Sequence, residues 1–250
     1  SGNVLFSGCN HAGLLWALET LAWSPEFLAE TCRILLRLAK HDPGGQWANR
    51  PSGSLCEILS YWMPHTTARL EDRIGLLDLL VADDREAAWP ILLHLLPESA
   101  GGVSMPTCSP KWRDWGDSWI RGTTRAELFK FITAVGERVL QQAGQDAGRW
   151  KQVFDNLSRI PHSVHAQLLE ASAALAKSDL TDIERRILAD ELSEQINRHR
   201  YFQNANWSLP TETLDELEKI LDALKPKSLV LRHAWLFEQW PDRFYERAGG

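Results

Sequence analysis

The sequence predicts an all-α chain of stacked helical hairpins, an α-solenoid or HEAT-like repeat array. Apolar residues recur at three- and four-residue spacing in one segment after another. Those segments open on Ser, Thr or Pro and close on Gly or Pro, and no stretch alternates apolar and polar residues for long enough to make a strand.

The first element is "GLLWALETLAW", in which Leu14, Leu15, Leu18, Leu21 and Ala22 share helical spacing. Ser24 is placed to cap a second helix and Pro25 fits its first turn, where a missing N–H costs nothing. That helix runs through "LAETCRILLRLAKH" and stops at "DPGG". A polar loop, "GGQWANRPSGS", leads to a short helix, "LCEILSYWM", ended by Pro64. Thr66 or Thr67 is expected to cap "ARLEDRIGLLDLLVAD", and "REAAWPILLHLLP" follows with Pro90 near its start and Pro97 closing it. Beyond a Trp-rich stretch, Thr123 or Thr124 is placed to cap "RAELFKFITAVGERVLQQAG". "GRWKQVFDNLSRI" and "PHSVHAQLLEASAALAK" come next. The pattern Thr181-Asp-Ile-Glu184 reads as a capping box before a long helix, Thr211 as the cap of another, and "LRHAWLFEQWPDRF" as the last.

A weak internal repeat supports stacking. "ILLRLAKHDPGG" from Ile34 aligns without a gap with "ILLHLLPESAGG" from Ile91, 57 residues later. Each copy ends in Gly-Gly and a loop bearing Trp and Pro. The expected division is a first half, residues 1–122, holding both loops, and a second helical half, residues 123–250, packed with it as one continuous unit. The opening "SGNVLFSG" reads as a tag remnant ahead of an internal fragment of a longer protein.

Composition excludes several functions. The net charge of −6 argues against a general nucleic-acid binder, and the basic clusters "RHR" and "KPK" are too short to track a phosphate backbone. Four scattered cysteines without a C-x-x-C pair read as thiols in a reducing cytoplasm, with neither a disulfide framework nor a zinc ribbon. No twenty-residue apolar run appears. The sequence lacks the P-loop, the H-E-x-x-H helix and the G-x-S-x-G elbow, and no cofactor is expected. His162 and His165 stand three apart and could share a metal, but with only Glu170 nearby they read as solvent-facing histidines near a helix start. Asp83, Asp84 and Glu86 read as acids complementing a helix dipole.

Twelve Trp against three Tyr is the unusual feature. Trp112, Trp115 and Trp119 stack along one side of a helix in this reading, with Arg113, Asp117 and Arg121 paired on another side, and form a packing seam. The candidate partner-binding residues are those of the two long loops: Trp47, Asn49 and Arg50 in the first, Lys111, Trp112 and Arg113 in the second. Trp and Arg are enriched among interface hot spots.

Three stretches carry a resemblance: "LLWALETLAWSPEFL", "DPGGQWANRPSGSL" leading to "PKWRDW", and "RHAWLFEQWPD". Together they resemble the helical-repeat region of very long bacterial proteins encoded among antiviral defence genes, which join a STAND-NTPase-like switch or an effector domain to a helical array. The resemblance implies a scaffold that senses a partner or transmits between domains, and it transfers no functional residue. The expected function is therefore a non-catalytic helical module that binds protein, from its own chain or a foreign one. The alternatives are a helical hydrolase or nuclease assembled from distant acids and histidines, and an RNA-binding helical repeat.

Overall fold

A computed structural model describes residues 12–42, 49–97, 109–110, 113–115 and 123–233. Among these the chain is helical, with no strand. The elements are α1 (Ala12–Leu21), α2 (Pro25–Lys40), α3 (Pro51–Ile58), α4 (Leu70–Asp83), α5 (Arg85–His94), α6 (Arg125–Ala143), α7 (Ala147–Asp155), α8 (His165–Lys177), α9 (Asp182–Tyr201), α10 (Thr211–Leu224) and α11 (Leu229–His233). Single 3-10 turns at Leu157–Arg159 and His162–Val164 lead into α8. No helix among the described residues is long and apolar enough to cross a membrane.

The chain divides into two compact units, residues 1–142 and 143–250. The sequence placed a boundary at 122/123. The division falls later because α6 is tied to α4. Arg138 donates to both carboxylate oxygens of Asp78, at 2.7 and 2.6 Å, and Arg73 lies buried over the Phe131 ring. At the end of α6, Arg85 donates to the Gln142 side chain and carbonyl.

In the first unit α2 is the hub, touching α1, α3, α4 and α5. Its buried residues Leu28, Thr31, Cys32, Leu35 and Leu36 fall at the three-four spacing of a single face, so one stripe meets all its neighbours. Its basic residues meet the α4–α5 corner, where Arg33 pairs with Asp83 and Lys40 with Asp84. The two acids therefore do more than complement a dipole. Asp84 caps α5 by accepting from the Ala87 N–H at 3.0 Å and also holds α2 against the hairpin. In the second unit α9 takes the central place, packed by α7, α10 and α11 through Leu188, Leu192 and Ile196.

Several helix starts differ from expectation. α4 begins at Leu70 with Arg69 in the cap position, because Thr67 is committed elsewhere: its N–H and its hydroxyl both donate to the Trp23 carbonyl. Thr66 accepts instead from the Ala68 N–H. Thr211 is the first residue of α10, with Pro210 in the cap position. α3 occupies Pro51–Ile58, earlier than the predicted "LCEILSYWM", with Pro51 at its first turn. The box at Thr181 forms as read, with both reciprocal bonds present.

Candidate interaction surfaces

Of the six loop residues singled out, Trp47, Lys111 and Trp112 lie outside the described residues, as do the two Gly-Gly turns, Asp117, Trp119 and Arg121. Asn49 and Arg50 are half-buried immediately before α3, and Arg50 sits 3.6 Å from Asp42, just past the end of α2. This pair closes the base of the first loop. Arg113 is exposed, its N–H bonded to the Pro110 carbonyl and its guanidinium 5.6 Å above the Trp115 ring. Trp115 itself is half-buried against Phe27, with ring centroids 5.9 Å apart.

Phe27 belongs to the first turn of α2, whereas Asp42 follows its last. The rise per residue puts these two anchor points on the order of 20 Å apart. The structure therefore does not bring the described members of the two loops together: Arg50 and Arg113 mark separate surfaces. For the aromatic stripe, Trp115 is the one described member, and it packs on Phe27 of α2 and carries the Arg113 guanidinium over its ring.

The two histidine rings stay in contact, with centroids 4.9 Å apart, but differ in exposure. His162 is exposed, but His165 is buried, with its Nε2 3.2 Å from the Ile160 carbonyl. Burial pulls its pKa down, so it is a neutral core residue and not the second solvent-facing ring that the spacing suggested. No group of three or more His, Cys, Asp or Glu among the described residues is placed to hold a metal ion.

Distant acids and a histidine do meet in the first unit. Buried Ser54 of α3 donates to Glu19 of α1 at 2.6 Å, and His65 Nδ1 stands 3.9 Å from Glu57. Burial, then the charge of Glu19, raises the Glu57 carboxyl, and burial lowers His65 to about 4. The Ser54 hydroxyl donates its hydrogen bond to Glu19 and lies under the surface, and His65 is beyond hydrogen-bond reach of Glu57. The arrangement clamps α1 to α3 and offers no exposed nucleophile. A cleft of about 300 Å³ beside α2, lined by Arg33, Arg37, Lys40, His41, Asp83 and Asp84, has the Arg33–Asp83 and Lys40–Asp84 ion pairs in its wall.

An exposed aromatic surface lies in the second unit, at the basic cluster "RHR". α9 ends in "RHRYF" and passes through "QNANWSLP" into α10. Tyr201 is 82% exposed and Phe202 49%, and their ring centroids are 4.8 Å apart at 81°. Trp207 lies 5.8 Å from Phe202 and carries the Arg198 guanidinium 5.0 Å above its ring.

This loop is held from beneath by His199, which is fully buried. Its Nδ1 accepts the Leu209 N–H at 3.0 Å, its carbonyl accepts from the Ser208 hydroxyl at 2.9 Å, and its ring packs edge-on against Trp207. Burial, then the Arg198 charge, lowers the His199 pKa to about 4, so the ring is neutral and keeps an acceptor for Leu209. The available sequence signal was two large aromatics beyond the periodic apolar face, followed by a run of amides that do not extend a helix.

Comparison of the chain with known protein families, curated proteins and solved structures gives no match.

Proposed function

We propose that this chain is a non-catalytic α-helical module that binds protein, its helical hairpins stacked in the manner of an α-solenoid. Its place is in the helical segment of a larger bacterial cytoplasmic protein of the antiviral-defence type. A short connection within the first unit supports the stacking: one residue, Asp84, joins α4 to α5. Repeated hairpins of this kind generate extended surfaces for partners.

One observation carries the binding reading. Both units place an exposed arginine over a tryptophan that lies outside the α-helices, Arg113 on Trp115 and Arg198 on Trp207. Such stacks put together the two residue types that most often dominate binding energy at protein interfaces, with the ring already anchored to the fold.

The test is capture from a lysate of the source organism, with wild-type chain and an Arg113→Ala/Arg198→Ala variant immobilised in parallel. Both arginines are surface residues, so the variant should melt within a few degrees of wild type. A stoichiometric protein retained by wild type and lost from the variant is the expected result. An identical set of captured proteins on both would overturn the assignment of these surfaces.

A further inference from the structure

We propose that Arg198, Tyr201, Phe202 and Trp207 form a recognition site for a peptide that presents a carboxylate beside an apolar or aromatic side chain. The proposal rests on the protein-binding reading and names the chemistry of the partner. The Arg198 guanidinium is held 5.0 Å above the Trp207 ring, a contact that uses its charge and none of its N–H donors. No acid pairs with those donors among the described residues. Arg200, two residues on, is neutralised by Asp215 at 2.7 Å and Glu218 at 2.9 Å. The loop therefore offers one guanidinium for a single carboxylate, since Arg200 beside it is already taken by its two acids. One guanidinium does not make the basic stripe that tracks successive phosphates, so the charge pattern favours a peptide over a nucleic acid.

The rings supply the apolar half. Adjacent rings meet at 81° and 55°, so the surface is stepped and lacks the parallel faces on which successive bases stack. A step of this kind receives a side chain. The loop is also built in advance of binding. The Ala205 N–H bonds the Phe202 carbonyl, the Ser208 N–H bonds the Ala205 carbonyl, and His199 anchors the segment from below. A partner therefore meets an ordered surface and little ordering entropy opposes it.

The experiment selects a random dodecapeptide phage library on the purified full chain, then titrates the enriched peptide as a synthetic fluorescent probe. The expected motif has Asp or Glu within a few positions of Phe, Trp or Leu. Arg198→Ala should weaken binding about tenfold or more, and the peptide's acid-to-amide change should do the same. The two combined should add nothing further, because they remove one interaction. Tyr201→Ala, at a largely exposed position, tests the aromatic half without threatening the fold, and should also weaken binding. Enriched peptides lacking an acid, or a dissociation constant unmoved by Arg198→Ala, would overturn the proposal, as would failure to enrich any peptide. Labelled oligouridine serves as the competing probe. Tight binding of it, lost in Arg198→Ala, would assign the surface to single-stranded nucleic acid instead. The lysate capture is read separately, so an acid-free motif discards the partner chemistry and leaves the protein-binding reading standing, whereas an empty capture discards that reading.

Discussion

His199 links a buried ring to an exposed surface, and its protonation has a sign that can be worked out. Its Nδ1 must stay unprotonated to accept the Leu209 N–H, since a charged imidazole would set one donor against another. The folded pKa of about 4 lies below the ordinary value of 6.5, as does that of His65, also about 4. Stability from each ring is fully present above pH 6.5 and is lost as the pH falls toward 4. At pH 4.5 the loss is about 2 kcal/mol for each. The carboxylates held down by partners, such as Asp83 and Asp182, titrate lower still and contribute little in this window. Urea denaturation between pH 7 and 4.5 should show stability falling, with a shallower slope in His199→Gln. An unchanged slope would mean that this ring does not titrate with unfolding. Gly144 is a second position where one residue decides local geometry. It carries φ = 54° where α6 gives way to α7, and its carbonyl accepts the Trp150 indole N–H at 2.8 Å. Gly144→Ala should cost about 1 kcal/mol in the same assay, since a Cβ disfavours the left-handed region.

At the scale of the helix, the ends separate what a sequence discloses from what only packing decides. The box at Thr181 was legible because both partners, Thr181 and Glu184, lie three residues apart and need nothing else. The equivalent exchange at Thr124 with Glu127 is equally local, and it resolves the choice between Thr123 and Thr124. Thr67, with Thr66 a cap candidate on the same local grounds, gives its hydroxyl bond to a carbonyl 44 residues away, and no local pattern records that competitor. Ser24 occupies the cap position of α2 as expected, yet its hydroxyl makes no capping bond, and Pro25 supplies the start. The contrast is measurable. Thr181→Ala should cost about 1 kcal/mol in chemical denaturation, whereas Ser24→Ala should cost only a few tenths. Equal losses would show that hydroxyl capping does not distinguish the two helices.

For the whole molecule, the all-α class was readable because periodicity is a local property repeated along the chain. Leu28, Cys32, Leu35 and Leu36 face inward as their spacing requires. The partition into units was not readable, since Arg138 meets Asp78 across 60 residues and draws α6 into the first unit. The exposed aromatic surface escaped for a related reason. Tyr201 and Phe202 end an amphipathic helix, and only the fold shows that the His199 anchor turns them outward. Each unit closes its own core, one around Leu35 and Leu36 on α2, the other around Leu188 and Leu192 on α9, all essentially inaccessible. Removing three carbons from such a position loses transfer energy and leaves a cavity, about 2–5 kcal/mol for Leu→Ala. Leu192→Ala should therefore lower hydrogen-exchange protection of the amides in α7, α9 and α10 by that free energy. Amides of α2 and α4, whose neighbours lie in the first core, should retain their wild-type protection. An equal drop throughout the chain would mean that the two cores open as one cooperative unit.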